Sequence, residues 1–131
     1  MSNALAGRRI LVVEDEVIIS IDVCHELEEV GAVGDCVSTL AEALKKLAAH
    51  AYDAAVLDYR LPDGYSTEIC DELEKRSTPY LIHSGYEKIE GACAHAEKLE
   101  KPISPERLVD RIVQLLAKPP SPSRPATTVR P

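Results

Sequence analysis

Short apolar runs alternate with longer helical stretches along most of the chain, and this alternation constrains the fold more than any other feature of the sequence. The runs at residues 10–13, 54–57 and 79–83 are largely apolar, as is typical of strands buried on both faces of a sheet. Weaker strands are predicted at residues 32–37 and 98–100. Helices are predicted at residues 17–30, 39–49, 66–76 and 86–96 and from Pro105 onward. Five strands alternating with five helices predict an α/β fold, in which a parallel sheet lies between helices in a doubly wound three-layer sandwich.

Charge and proline content separate a folded body from a tail. Residues 118–131 contain five of the nine prolines, three basic residues and no acidic residue. Such a segment lacks the apolar side chains needed for a core, and it is predicted to be a disordered proline-rich tail. We expect one domain at residues 8–117, preceded at residues 1–7 by an N-terminal extension or a cloning remnant.

Composition excludes several classes of function. The whole chain carries a formal net charge of −7 and its tail carries +3, so residues 1–117 carry −10. An acidic body that contains no Trp and no Phe is poorly suited to bind nucleic acid. No apolar run approaches the roughly 18 residues that a membrane span requires, and no signal peptide is visible. We therefore expect a cytoplasmic protein without membrane contact.

The four cysteines show no metal-binding spacing. Cys24, Cys36, Cys70 and Cys93 are widely separated, and no Cys-x-x-Cys motif or nearby His pair accompanies them. For a cytoplasmic protein we predict reduced thiols that are mostly buried and pack as small apolar side chains. His83 lies in an apolar run and is predicted to be a packed side chain rather than a metal ligand.

Polar side chains follow four of the predicted strands at the points where the strands end. Glu14 and Asp15 follow the first strand, Asp58 the third, Ser84 the fourth and Lys101 the fifth. In an open parallel sheet the carboxyl ends of the strands meet at one edge, where ligands bind. Each of these residues alone has an ordinary structural explanation as a helix cap or a turn residue. Their occurrence at successive strand ends predicts instead a shared site with three carboxylates, one hydroxyl and one ammonium group.

Three carboxylates in one site repel one another and need a cation. Oxygen ligands without thiolate or imidazole favour a hard ion, and we predict Mg²⁺, which accepts a few protein oxygens and keeps water or phosphate as its other ligands. A carboxylate beside this ion can attack a phosphoryl group and form an aspartyl phosphate. Lys101 would then neutralise the phosphoryl oxygens, and Ser84 would hydrogen-bond one of them.

Four separate motifs together resemble the receiver domain of response regulators. They are Ile10-Leu11-Val12-Val13-Glu14-Asp15-Glu16, Leu57-Asp58-Tyr59-Arg60-Leu61-Pro62-Asp63-Gly64, Ser84-Gly85 and Lys101-Pro102. They occur in the family's order over about residues 8–117. The resemblance implies a flavodoxin-like sheet with strand order 2-1-3-4-5, a role in two-component signalling and dependence on Mg²⁺. It also implies phosphorylation by a sensor histidine kinase or a phosphotransfer protein, and contacts with a downstream protein.

The resemblance also implies one role for each residue of the predicted site. Asp58 is the phosphoacceptor, Ser84 is the switch hydroxyl, and Lys101 pairs with a phosphoryl oxygen. The implied metal ligands are Glu14, Asp15, Asp58 and the backbone carbonyl of Arg60. The only chemistry implied is self-phosphorylation from a phosphodonor and autodephosphorylation, so the chain is not predicted to be an enzyme that acts on other substrates.

Two positions depart from the family's usual pattern. The first acid of the metal-binding pair is Glu14, where Asp is more common, and Lys98 stands where the family usually has an aromatic side chain that moves together with the switch hydroxyl. The run from Pro79 to Tyr86 is similar to the Pro-Phe-x-Phe-Ala-Thr-Gly-Tyr motif of a subgroup of receivers that also lacks this aromatic. We therefore hypothesise that Tyr86 reports phosphorylation in its place. The glycine-containing segment that follows is expected to be low in local stability and to repack.

Alternative functions differ in how well the sequence supports them. Within the same family, the chain could instead be a phosphate sink or a relay intermediate without its own output. The sequence does not distinguish these roles from signalling to a downstream protein. An aspartyl-phosphate phosphatase needs a general acid two residues after its nucleophile, but Arg60 stands there and cannot usefully donate a proton. A nucleotide- or flavin-binding domain is disfavoured because no glycine-rich phosphate-binding motif occurs.

Overall fold

The computed structural model describes residues 3–85 and 88–117, and the predicted alternation of strands and helices is present in them. The strands are β1 (Arg9–Val13), β2 (Val33–Val37), β3 (Ala54–Asp58), β4 (Arg60–Leu61), β5 (Gly64–Tyr65), β6 (Tyr80–Ser84) and β7 (Glu97–Glu100). The α-helices are α1 (Val17–Glu29), α2 (Leu40–Ala49), α3 (Thr67–Lys75) and α4 (Pro105–Ala117), and a 3-10 helix spans Gly91–His95. No helix in this part of the chain is long and apolar enough to cross a membrane. The hypothesis about Tyr86 and the predicted tail at residues 118–131 lie outside the described residues.

Five strands form one parallel sheet in the order β2-β1-β3-β6-β7. With the short strands β4 and β5 left out, this is the predicted order 2-1-3-4-5, so the predicted doubly wound fold is confirmed. β4 and β5 pair antiparallel in a small hairpin shortly after Asp58. The register pairs Asp58 with His83 and Ser84 with Glu100. The carboxyl ends of β3, β6 and β7 therefore lie side by side.

The sheet is buried between two apolar layers. Side chains alternate across β1, where Leu11 and Val13 belong to the layer of α2 and α3, while Ile10 and Val12 belong to the layer of α1 and α4. Leu5, within the N-terminal extension, is buried in the layer of α1 and α4. All five residues of β3 are buried, which is the usual environment of a central parallel strand. The rigid core therefore extends to the last residue of the central strand.

The prediction of an α-helix at residues 86–96 is wrong for the described part of that segment, in which a short 3-10 helix, Gly91–His95, forms instead. The described residues thus contain four α-helices where five were predicted. Gly91 has a left-handed φ of 69°, which interrupts an α-helical path. A Cβ atom at Gly91 would lie 3.0 Å from Thr67 Cγ2, so the close approach of α3 also requires glycine there.

Covalent and polar contacts join the 3-10 helix to α3. Cys93 forms a disulfide with Cys70, and both residues are fully buried. The Tyr80 hydroxyl lies 2.7 Å from Glu74 Oε2 and 3.0 Å from the carbonyl oxygen of Ala92. The described part of this segment is therefore attached more firmly to α3 than its glycine content suggested.

All four cysteines are paired in the structure, so the prediction of reduced thiols is wrong here. The second disulfide joins Cys24 in α1 to Cys36 in β2. The partners are 12 and 23 residues apart in the sequence, and these spacings carry no pairing signal. In each pair the two cysteines lie on different elements, so their approach depends on how those elements pack and not on the local sequence.

The hairpin of β4 and β5 is anchored to the start of α2. Asp63 in its turn accepts hydrogen bonds from the backbone N–H groups of Leu40 (2.8 Å) and Ala41 (3.0 Å). A helix leaves such N–H groups without an internal partner, and they need an acceptor. Thr39 caps α2, because its side-chain hydroxyl oxygen accepts a hydrogen bond from the Glu42 N–H at 3.1 Å. The backbone that follows β3 is therefore held in place by α2.

Loss of the Cys70–Cys93 disulfide is expected to lower the free energy of unfolding by about 3 kcal/mol, because the bond restricts the unfolded chain. Urea unfolding of the oxidised protein and of the Cys70→Ala/Cys93→Ala variant measures this difference. A thiol count in denaturant checks the pairing itself, and no free thiol is expected before a reductant is added. Four titratable thiols in the unreduced protein would contradict the observed pairs.

Candidate functional site

The carboxyl ends of four parallel strands bring the predicted site residues to one edge of the sheet. Glu14 and Asp15 follow β1, Asp58 ends β3, Ser84 ends β6 and Lys101 follows β7. Glu14, Asp58 and Ser84 are buried, whereas Asp15 is exposed. This edge therefore combines buried polar groups with an opening to solvent.

Three carboxylates form a compact acidic cluster at this edge. Glu14, Asp15 and Asp58 each place one oxygen within 4.8 Å of the other two. The donor atoms of this cluster are all carboxylate oxygens, which suit a hard divalent cation. The exposed position of Asp15 leaves space for the water and phosphate ligands that Mg²⁺ retains in proteins. The residues present therefore fit the predicted Mg²⁺ site.

Lys101 reaches into the acidic cluster from the loop after β7. Its Nζ lies 2.7 Å from Asp58 Oδ1, 3.6 Å from Glu16 Oε1 and 3.8 Å from Glu14 Oε2. Its backbone N–H donates to the carbonyl of Ser84 at 2.8 Å, which attaches the loop to the end of β6. Burial alone would lower the pKa of Lys101, but the neighbouring carboxylates raise it, so the ammonium group stays charged.

Asp58 and Glu14 have opposite pKa shifts. Burial, followed by the adjacent Glu14 carboxylate, raises the pKa of Asp58 to about 8, while Lys101 opposes this rise. Burial would also raise the pKa of Glu14, but contacts with His83 and Asp58 lower it to about 2. Without a cation, burial and mutual repulsion therefore favour ionisation of Glu14 over ionisation of Asp58. A divalent cation beside the two carboxylates favours the ionised form of both.

Ser66 holds the backbone around Asp58 and was not identified from the sequence. Its hydroxyl donates to the carbonyl of Asp58, and its backbone N–H donates to the carbonyl of Tyr59 at 2.8 Å. Ser66 is fully buried and directly precedes α3. A serine at this position usually caps the helix, but the Ser66 side chain makes no cap hydrogen bond. The contact arises because the hairpin of β4 and β5 returns the chain to the end of β3.

His83 is buried, as predicted for a packed side chain, but it also faces the acidic cluster. Its Nδ1 lies 3.6 Å from Glu14 Oε1. Strand pairing places it opposite Asp58 in the register of β3 and β6. Glu14 and His83 are far apart in the sequence, and no local pattern predicts that they meet.

Three further predicted positions can be located in the fold. Ser84 lies buried at the end of β6, and Arg60 begins β4 with an exposed side chain. The roles of the Ser84 hydroxyl and the Arg60 carbonyl stay predictions. Lys98 is exposed on β7, and its Nζ lies 3.4 Å from the carbonyl oxygen of Ala94 in the 3-10 helix. An ammonium group therefore contacts the 3-10 helix from the strand position at which receivers usually carry an aromatic ring.

Comparison with known sequences matches the chain to one family. The sequence model of the family described as "Response regulator receiver domain" matches residues 10–113. Two curated relatives are the two-component response regulator PhoP of Pseudomonas aeruginosa, 33% identical over 117 residues, and the response regulator ArlR of Staphylococcus epidermidis, 33% identical over 121 residues. The alignments cover 84% and 85% of this chain but 52% and 53% of the relatives. The chain thus spans about half the length of the curated relatives it matches.

Solved structures show the same fold. A CheY-like response regulator receiver domain protein from Methanospirillum hungatei has a TM-score of 0.76 at 28% identity, and the match covers 86% of this chain and 95% of that one. The non-phosphorylated HemR receiver domain from Leptospira biflexa has a TM-score of 0.75 at 25% identity, with 87% and 98% covered. Sequence match and fold agree with the arrangement of residues at the sheet edge, and the chain belongs to the response regulator receiver domain family.

Proposed function

We propose that the chain is the phosphoacceptor of a two-component phosphorelay, phosphorylated on Asp58 in the presence of Mg²⁺, and that it signals through protein–protein contacts. The observation that supports this most strongly is the 2.7 Å contact between Lys101 Nζ and Asp58 Oδ1 within an acidic cluster. This arrangement places the Asp58 carboxylate beside the Lys101 ammonium group, whose positive charge would stabilise the negative phosphoryl oxygens of phosphorylated Asp58. The phosphoryl donor would be a histidine kinase or a phosphotransfer protein.

In this proposal Asp58 is the nucleophile. One of its carboxylate oxygens forms a P–O bond as the P–N bond of a donor phosphohistidine breaks, and the histidine nitrogen keeps the electron pair and takes up a proton. Glu14, Asp15, Asp58 and the carbonyl of Arg60 would hold Mg²⁺, which supplies positive charge next to the phosphoryl oxygens. Asp58 must be ionised to attack, so binding of the cation also favours the reactive form of the side chain.

Lys101 and Ser84 would then bind the transferred group. Lys101 would exchange its contact with the Asp58 carboxylate for a contact with a phosphoryl oxygen, which needs only a small displacement because its Nζ already lies beside the acceptor oxygen. The Ser84 hydroxyl would donate to another phosphoryl oxygen from the end of β6. The Lys101 N–H donates a hydrogen bond to the Ser84 carbonyl at 2.8 Å, so a displacement of one residue would also displace the other.

We also propose that the chain does not turn over external phosphate esters and that its partners are proteins. Arg60 stands where an aspartyl-phosphate phosphatase has its general acid, and a guanidinium group does not serve in that role. The acidic body disfavours nucleic acid as a direct partner. The output is either a phosphorylation-dependent contact with a downstream protein or, as the alternative, storage or relay of the phosphoryl group. Histidine kinases draw on ATP, so this function is proposed to take place in the cytoplasm.

Replacement of Asp58 by Asn is expected to abolish labelling by a small acyl phosphate in the presence of Mg²⁺. Wild type should gain the mass of one phosphoryl group, and hydroxylamine should remove it, as for an acyl phosphate. Asp53→Asn is the matched control, because Asp53 lies just before β3 at the opposite end of the strand and bonds to the Arg9 N–H. Equal labelling of wild type and Asp58→Asn would contradict the assignment.

The same Asp58→Asn variant is expected to be more stable than wild type at about pH 8 without a cation. Folding raises the pKa of Asp58 from 3.8 to about 8, so the folded state loses stability as the pH rises between about 4 and 8 and the carboxyl must ionise. Asn does not ionise, so the stability gained by the variant should grow over this range. Thermal unfolding in a chelator at several pH values measures this gain, and saturating Mg²⁺ should reduce it. A gain that does not depend on pH would show that Asp58 is not held in this environment.

A further inference from the structure

Glu14 is held by different groups at its two carboxylate oxygens. Oε2 accepts a hydrogen bond from the Glu16 N–H at 3.0 Å, and Oε1 lies 3.6 Å from His83 Nδ1. Glu is one methylene longer than the Asp that is common at this position, and it has one more rotatable bond. Ordering a longer side chain costs more conformational entropy, so more contacts are needed to keep its carboxylate in one place.

His83 is well suited to supply such a contact because it cannot move far. It is 2% exposed, and β6 pairs it with Asp58 on one side and with Leu99 on the other. Within the described residues its Nε2 has no hydrogen-bond partner. A buried polar atom without a partner costs free energy, and an apolar side chain on this strand would avoid that cost. The ring nitrogen that does face a polar group is Nδ1, and the group it faces is Glu14.

We propose that His83 is a positioning residue for Glu14, whose Nδ1–H faces Oε1 and keeps the longer carboxylate beside Asp15 and Asp58. This inference rests on the proposed Mg²⁺-dependent function and adds a residue to the site that the resemblance does not supply. At 3.6 Å the contact is longer than an ordinary N–H···O hydrogen bond, so the restraint is electrostatic and steric. His83 acts through Glu14 and is not itself assigned as a metal ligand.

A double-mutant cycle on Mg²⁺ binding tests the proposal. Calorimetry on the unphosphorylated protein compares wild type, His83→Ala, Glu14→Asp and the double variant. His83→Ala is expected to weaken Mg²⁺ binding roughly 10-fold in wild type, as residues that orient metal ligands do. In the Glu14→Asp background the effect should fall below about 2-fold, because the shorter acid does not reach His83. His83→Asn, which keeps an N–H donor near the place of Nδ1, should restore most of the affinity. Equal effects of His83→Ala in both backgrounds would overturn the proposal.

A second measurement uses the unaltered, metal-free protein and needs no variant to fold. Nitrogen NMR of the imidazole is expected to show a proton on Nδ1 of His83, since the ring must donate towards Oε1. A ring without a proton on Nδ1 would overturn the positioning role. If Asp58 is phosphorylated but the effects of His83→Ala and Glu14→Asp on Mg²⁺ affinity are independent, this inference alone is refuted. If the two effects are coupled but Asp58 is not phosphorylated, only the proposed function is refuted. Failure of wild type to bind Mg²⁺ would overturn both.

Discussion

The buried contact between the carboxylates of Asp58 and Glu14 is the constraint on which the rest of the site depends. Two carboxylates at the ends of neighbouring strands cannot both ionise in a buried place unless positive charge compensates them. Lys101 supplies one such charge, and the exposed side of the cluster at Asp15 leaves access for a cation. In the proposed function, the same repulsion would favour binding of Mg²⁺ and, with it, transfer of a phosphoryl group to Asp58.

The scaffold keeps Asp58 fixed while leaving one side of the site open. β3 is buried along its whole length, so the backbone of Asp58 belongs to the core and not to a mobile loop. Ser66 bonds to the carbonyl of Asp58, and Asp63 ties the following hairpin to the start of α2. The geometry of the acidic cluster thus depends on backbone hydrogen bonds between elements as much as on the charged side chains. On the other side of the sheet edge, Lys98 and the disulfide of Cys93 bind the 3-10 helix to its neighbours.

Local patterns in the sequence were sufficient to predict the five strands of the parallel sheet and the residues at their ends, whereas the order of the strands came from the resemblance to receiver domains. An apolar run and the polar residue that ends it are adjacent in the chain, and the topology of a parallel sheet then brings these ends together. Contacts between distant elements could not be predicted in this way: they include the Cys70–Cys93 disulfide and the contacts that Ser66 and His83 make with the acidic cluster. The 3-10 helix was not predicted because it also depends on a contact between distant elements. Gly91 has a left-handed φ and lies close to Thr67 in α3, and neither feature is visible in the local sequence.

Chemical location of the phosphoryl group tests the central claim most directly. The protein is labelled with an acyl phosphate and Mg²⁺, reduced with borohydride, which converts a phosphorylated aspartate to homoserine, and then mapped by peptide mass spectrometry. The account predicts a single reduced residue at position 58, and none when Mg²⁺ is removed with a chelator before labelling. Reduction at Glu14, at Asp15 or at a residue outside the acidic cluster, with Asp58 unchanged, would contradict it.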